Sequence, residues 1–174
     1  DPLAAGLLAG ADCEQSFFWR DEEWLVPDSD GVLVPVLRKV RTDLITADGA
    51  FVCDLKTTDD VSKAGFGRAI ANYGYHVSAA WYLDVLRGLY GNDAPQGFAF
   101  IAVQKTRPYD VAVHYLTDQQ IELGRLIYRK NLHRLIECMT TGVWPGAANG
   151  EFIEAELPVW EMRKLELLQG EALL

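Results

Sequence analysis

Asp43, Asp54 and Lys56 are the residues from which chemistry can be built, and they fall within the stretch "RTDLITADGAFVCDLKTT". Val32 to Thr46 and Ala50 to Lys56 are rich in β-branched and apolar residues. Asp48-Gly49 between them suits a two-residue type I′ hairpin turn, whose central positions both need positive φ. With those residues as the loop, Ala47 faces Ala50, Ile45 faces Val52, and Asp43 faces Asp54. Opposed Cβ atoms on antiparallel strands stand only about 4.5–5.5 Å apart, so two carboxylates placed this way repel. Side chains alternate faces along a strand, which puts Lys56 on the same side as both acids. Either Lys56 compensates the pair, or a divalent cation takes the carboxylates as hard oxygen ligands. The bland alternative is an exposed hairpin whose polar face stays wet.

A scaffold must hold these side chains. "CEQSFFWRDEEWLV" has strand character from Cys13 to Leu25, and turn residues from Pro27 to Gly31 end it. Beyond the hairpin, "DDVSKAGFGRAIANYG" reads as a loop and short helix with Asp59 or Asp60 as N-cap. "YHVSAAWYLDVLRGLYG" reads as a helix closed by Gly91, with Ala79, Leu83, Leu86 and Tyr90 in one stripe. Two strands, "GFAFIAVQK" and "YDVAVHYL", are separated by "TRP". A helix from Asp118 to Thr141 follows, broken by Trp144-Pro145-Gly146. Strands at the centre with helices packed on them make an α/β or α+β domain.

Composition sets bounds on the class. With 174 residues, 49% hydrophobic and 11% aromatic, the chain suits one globular domain over residues 1–174, with 151–174 as a C-terminal tail or interface segment. There is no repeat, and no apolar run approaches the roughly 18 residues of a membrane span. The opening "DPLAAGLLAGADCEQ" lacks the basic n-region of a signal peptide, so a soluble, cytoplasmic protein is expected. Because the chain opens on Asp1 rather than Met, a longer parent chain is expected too. Cys13, Cys53 and Cys138 stand far apart and read as buried thiols rather than a zinc or disulfide framework. The formal charge of −9 weighs against broad phosphate binding, although a local basic surface is compatible with it.

The run "RTDLITADGAFVCDLKTTDD", then "FGRAIANYGYHVSAAWYLD", "FAFIAVQKTRPYDVAVHYL" and "GVWPG", resembles the exonuclease VIII, or RecE-like, family of phage-type recombination nucleases within the PD-(D/E)xK superfamily. The resemblance extends from about Glu14 to Trp160. It implies a restriction-endonuclease-like α/β core, with a central mixed β-sheet flanked by helices. A D-x-K tripeptide alone occurs widely; the preceding-strand Asp, the D-L-K-T-T continuation, the Y-H-V helix opening and the order of later elements make the match specific.

By that resemblance, Asp43 and Asp54 are the metal-binding acids for Mg²⁺ or Mn²⁺, with the Leu55 backbone carbonyl as a further ligand. Lys56 is the motif lysine that positions the attacking water and stabilises charge on the phosphate. Glu14 corresponds to an acid on an earlier strand, as an outer or second-metal ligand, and Tyr82 to a helix tyrosine facing the site. Ser78 stands where relatives carry Gln, four residues before Tyr82 and on the same helix face. The upstream His of this branch is not identifiable, and the three cysteines do not supply the four thiolates of an iron–sulfur cluster, so none is inferred. Metal-assisted hydrolysis of a phosphodiester would make sense of an otherwise awkward acid pair.

Other residues carry weaker signals. His76 at a helix head reads as capping or packing before it reads as catalytic, and neither His114 nor His133 has a paired ligand at metal spacing. Lys63, Arg68, Lys105 and Arg107 are candidate phosphate contacts, with a solvated surface as the alternative reading of each. Trp19, Trp24 and Trp81 read as core. The resemblance thus implies a Mg²⁺-dependent exodeoxyribonuclease that degrades one strand of duplex DNA from an end, 5′ to 3′, in recombination. Its partners would be double-stranded DNA ends, further copies of itself in a homo-oligomeric ring, and a single-strand annealing protein, with no membrane. The alternatives are an endonuclease or Cas4-like end-processing nuclease, and a catalytically silent DNA-binding or assembly module of the same fold.

Overall fold

The hairpin at Asp48-Gly49 forms, by a different turn from the one its dipeptide suggests. In the computed structural model, which describes residues 1–148 and 150–171, only Gly49 of the pair has positive φ, at 71°. Gly49 N–H donates to Thr46 O at 2.8 Å, and Thr46 N–H donates to Phe51 O at 3.0 Å. The Asp48 carboxylate accepts from Thr46 Oγ1 at 2.6 Å and from Ala50 N–H at 3.0 Å. This short-range bonding lets Asp48 stay at negative φ, in place of the type I′ geometry. The register is still the expected one, with Ile45 opposite Val52 and Leu44 opposite Cys53.

The described residues form one five-stranded sheet in the order β1 (Asp12–Pro27), β2 (Leu33–Ile45), β3 (Phe51–Thr58), β4 (Gly97–Gln104) and β5 (Val111–Tyr115). All neighbours are antiparallel except β3 and β4, which run parallel from Phe51↔Gly97 to Thr58↔Gln104. A parallel pair needs a crossover. It is supplied by α2 (Lys63–Tyr73) and α3 (Tyr75–Tyr90). The fold is therefore α/β, a mixed sheet flanked by helices, the architecture expected from the sequence.

Local chemistry sets the helix ends. Ser62, not Asp59 or Asp60, caps α2, its Oγ accepting from Gly65 N–H at 3.1 Å. Asp60 instead accepts from Ser62 N–H at 2.8 Å and so shapes the approach to the cap. Gly74, at φ 66°, ends α2 and starts α3. Helix α4 (Asp118–Thr141) opens on a Thr117/Gln120 capping box and closes at Gly142. Helix α1 (Pro2–Leu8) precedes the sheet, its N-cap Asp1 accepting from Ala4 N–H at 2.9 Å.

Two apolar layers follow from strand alternation. Val52, Phe98 and Phe100 pack with Phe66, Ala79, Ala80, Leu83 and Leu86 of the crossover helices. Leu44, Cys53, Ala99 and Ile101 pack in a second cluster that includes Ala4 of α1. Tyr90, expected in the buried stripe of α3, is half exposed at the helix end, beside Phe17. Of the three thiols expected to be buried, Cys53 and Cys138 are, whereas Cys13 is exposed. Trp24 is buried. No helix among the described residues is long and apolar enough to cross a membrane.

The chain divides into two units, Asp1–Gly142 and a second beginning at Val143. The second contains α5 (Val159–Glu171), with Trp160, Leu165, Leu167 and Leu168 exposed on it.

Candidate functional site

Strands β2 and β3 are bonded through the pairs Leu44↔Cys53 and Ile45↔Val52; from there β2 runs on against β1, and β3 against β4. Asp43 and Asp54 stand where the two strands part. At that fork the Asp43 carboxylate takes over a bond the ladder no longer supplies, accepting from Leu55 N–H through Oδ2 at 2.9 Å. Lys56 Nζ donates to Asp54 Oδ1 at 2.6 Å, and lies 5.2 Å from the centre of the Tyr75 ring at the start of α3. Asp54 and Lys56 are only 14% and 25% exposed, so neither charge is simply solvated.

The two carboxylates behave as a pair. Burial pushes Asp54 up, a hydrogen bond shared with Asp43 adds to it, and Lys56 opposes both, leaving Asp54 at about 6. Burial also works to raise Asp43. Hydrogen bonds from Asp54 and Leu55 N–H, together with the charges of Lys56 and Arg41, outweigh it and hold Asp43 below the ordinary carboxylate range. Of the two acids, Asp54 is therefore the one that keeps its proton longer as pH rises. Tyr82, on α3 with its ring edge on Phe98, is raised first by its own burial and then by the charges of Asp54 and Asp43, so its hydroxyl feels this cluster.

Glu14 lies in β1 between the pairs Cys13↔Leu44 and Gln15↔Thr42, in a left-handed conformation at φ 57°. Its exposed carboxylate pairs with Arg41 at 2.6 Å. No group of three His, Cys, Asp or Glu side chains converges among the described residues. The donor set at the fork is nevertheless that of a hard divalent cation: two carboxylates forced together, beside the Leu55 backbone. Mg²⁺ commonly uses one or two protein carboxylates and completes its shell with water and substrate oxygens. The residues present fit such an ion, with Lys56 as the group an incoming cation would release from Asp54.

The remaining candidates divide. Arg68 and Lys105 line a groove of about 350 Å³ with Tyr73, Tyr75 and Thr57, next to Lys56. Lys63 and Arg107 are exposed and do not line it. Ser78 is exposed on α3. His76 Nδ1 lies 3.4 Å from Ile70 O, His114 Nε2 lies 3.0 Å from Val61 O, and His133 packs on Trp24; all three have structural partners.

Three features of unit 1 lie outside the sequence reading. Tyr75 is the first, since only the fold brings the head of α3 over Lys56. Arg41, whose charge reaches both Glu14 and Asp43, is the second. Arg38 is the third: it is 1% exposed and paired with Asp21, itself 2% exposed. The Arg38 guanidinium lies 4.5 Å from the Trp81 ring centre and 5.2 Å from those of Trp19 and Tyr128. It donates to Tyr128 Oη at 3.3 Å; Tyr128 donates to Asp84, which Arg125 holds by bonds of 2.8–3.1 Å. A signal existed: Arg38 shares strand parity with Val34, Val36 and Val40, and a charge on an apolar face requires a buried partner.

Residues 31–155 match the family model described as "PDDEXK-like domain of unknown function (DUF3799)". Among solved structures, a "Putative exonuclease" from Eubacterium rectale aligns at 16% identity with a TM-score of 0.59, covering 93% of this chain and 60% of that one. The structure of SSO0001 aligns at 14% identity over 77% of this chain and 55% of that one, with a TM-score of 0.42, too low to carry an argument. This chain therefore spans less than two thirds of the length of either. No curated protein matches it.

Proposed function

The chain belongs to the PDDEXK-like family DUF3799, and from that premise we propose that it is a metal-dependent deoxyribonuclease that hydrolyses phosphodiester bonds at the Asp43–Asp54–Lys56 fork. One observation carries the reading: two carboxylates from adjacent strands meet at a partly open fork, one anchored by Leu55 N–H and the other bonded to the Lys56 ammonium. The name of the Eubacterium rectale neighbour agrees with it.

When bound, a Mg²⁺ or Mn²⁺ ion lowers the pKa of its water and neutralises charge on the phosphate. Asp43 and Asp54 would hold it, with the Leu55 carbonyl as a further donor. Asp43 is anchored by Leu55 N–H, so one ligand is preset before the ion arrives. Lys56, once freed from Asp54, donates to the attacking oxygen or to a phosphate oxygen as negative charge builds there. The Tyr75 ring keeps its ammonium close to the fork in the meantime. Tyr82 adds a neutral hydroxyl near the reacting phosphate. Glu14 acts at most through Arg41. No iron–sulfur cluster is part of the proposal.

The finer reading follows the exonuclease VIII resemblance: removal of one strand of duplex DNA from an end, 5′ to 3′, by a cytoplasmic homo-oligomeric ring that works with a single-strand annealing protein in recombination. The proposed nuclease domain occupies residues 1–174, with 151–174 as tail or interface. End-labelled linear duplex DNA, incubated with and without Mg²⁺, tests it against Asp54→Asn and Lys56→Ala. Metal-dependent release from the 5′ label by wild type alone is expected. Cutting of covalently closed circles would move the reading to an endonuclease or a Cas4-like end-processing enzyme. No cleavage, together with equal Mn²⁺ binding heat for wild type and Asp54→Asn, would leave a silent binding module.

A further inference from the structure

Next to the fork, a second structural feature bears on how a strand is held. Tyr73, the last residue of α2, is 72% exposed, yet its ring is not loose: it stacks on Tyr75 with centroids 5.5 Å apart and planes 24° apart. Tyr75 in turn lies 5.2 Å from Lys56 Nζ, which bonds to Asp54. An aromatic column therefore runs from solvent to the catalytic lysine, with one ring at its open end. Gly74, between the two tyrosines, has φ 66°, and this reversal from α2 into α3 sets the rings face to face.

The groove beside the column is electrically balanced. Arg68 faces Asp60 and Lys105 faces Asp59, each at 3.7 Å and each exposed. Two cations against two carboxylates leave no net charge to hold phosphates. A flat, open ring above a neutral groove suits a nucleobase, because every base has a π-face and stacking does not depend on charge. At about 350 Å³ the groove lies near the lower end of the ~300–1,000 Å³ common for small-ligand sites.

We infer that Tyr73 is the platform on which an unpaired base beside the scissile phosphate stacks, so that the enzyme takes single-stranded or frayed ends in preference to blunt duplex. The inference rests on the nuclease reading for its location, but base binding can be measured without cleavage. A base inside a duplex has both faces covered, and a blunt terminal pair brings its partner strand to the ring as well, so an unpaired base reaches the platform most freely. Because the contact is stacking, affinity should respond little to salt, unlike phosphate-driven binding.

The test uses a short single-stranded oligonucleotide carrying 2-aminopurine, whose fluorescence falls on stacking, titrated with the full chain in EDTA. Wild type should quench it; Tyr73→Ala should bind ~5- to 150-fold more weakly, the range spanned by one base–aromatic stack. Tyr73→Phe, which keeps the ring, should bind as wild type does, and this separates stacking from a hydroxyl contact. In Mg²⁺, Tyr73→Ala should raise KM on frayed DNA by a larger factor than it lowers kcat. Equal binding by wild type and Tyr73→Ala, or no quenching by wild type, overturns the platform. Quenching that Tyr73→Ala abolishes supports the platform even where wild type cuts no DNA, an outcome that would overturn the nuclease reading alone.

Discussion

The Asp43–Asp54–Lys56 fork and the Asp21–Arg38 cage draw on the same strand and the same residue types, yet the surroundings make opposite use of them. In the cage, acid and base are almost fully enclosed, three aromatic rings surround the guanidinium, and the chain of bonds continues through Tyr128 to Asp84 and Arg125. Those charges are matched inside the protein. In the fork, two carboxylates face one ammonium: Lys56 bonds to Asp54, Asp43 is held by the neutral Leu55 N–H, and Arg41 is paired with Glu14, so with both acids ionised one negative charge lacks an ion-pair partner of its own. A closed, balanced set of charges fixes geometry, while an open, unbalanced one is suited to binding something that arrives. Helix α3 serves both, carrying Tyr75 and Tyr82 to the fork and Trp81 and Asp84 to the cage.

The contrast is testable from its strongest consequence downward. Arg38→Ala leaves Asp21 buried without its cation and should cost about 3–5 kcal/mol of stability, the usual penalty for breaking a buried pair. Urea unfolding measures it, and a loss below about 1 kcal/mol, the scale of a surface pair, would place the cage in the wrong category. Lys56→Ala should do the reverse. It should cut kcat by about 10²–10³-fold, as loss of one preorganised donor does, with a stability loss smaller than that of Arg38→Ala.

Gly124→Ala probes the element the two regions share. A Cβ at Gly124 of α4 would lie 2.1 Å from His76 O of α3, a backbone atom that cannot step aside alone. Stability should fall by about 1–3 kcal/mol, as overpacking does, and activity should fall with it because α3 moves at both ends. A variant that lost only one of the two would show that α3 does not couple them.

On stability, Asp54→Asn gives the smallest effect, and its sign is the informative part. Asp54 has a folded-state pKa of about 6 against an ordinary 3.8, so its favourable contribution is complete below pH ~4 and is lost as pH rises through about 6. Asp43 is shifted the opposite way; its contribution is present above its unfolded value and does not change across that window. In EDTA at pH 8, Asp54→Asn should therefore be more stable than wild type by about 1–2 kcal/mol. That is less than the ~3 kcal/mol of the full shift, because Lys56 loses its partner. Near pH 3.5 the gain should vanish. Thermal unfolding at the two pH values checks it, and a wild type that is the more stable at pH 8 would mean that the fork is no less balanced than the cage.

Much of the fork was legible in the sequence, and the reason is periodicity. Val52 and Cys53 beside Ile45 and Leu44 can bury both faces of the hairpin in only one register, since a one-residue slip would turn each to the wrong side. That register brings Asp43 and Asp54 together where the two strands part. The turn was misread because Asp48 bonds to Thr46 and Ala50 within its own loop, an option the Asp-Gly signal does not weigh. Ser62 displaced Asp60 as N-cap for a similar short-range reason. PLAAGLL is too short for helical periodicity to declare α1, and Cys13 is exposed because its place in the sheet, not its type, sets its burial.

Sequence alone determined the strand alternation, the D…D-x-K spacing and the order of elements, because each depends on residues near one another in the chain. Tertiary structure alone decided that Tyr75 lies over Lys56, that Arg38 is enclosed by three rings, and that Glu14 pairs with Arg41. Those contacts join separate elements whose positions follow from how the whole core packs, and packing is a property that no local pattern carries.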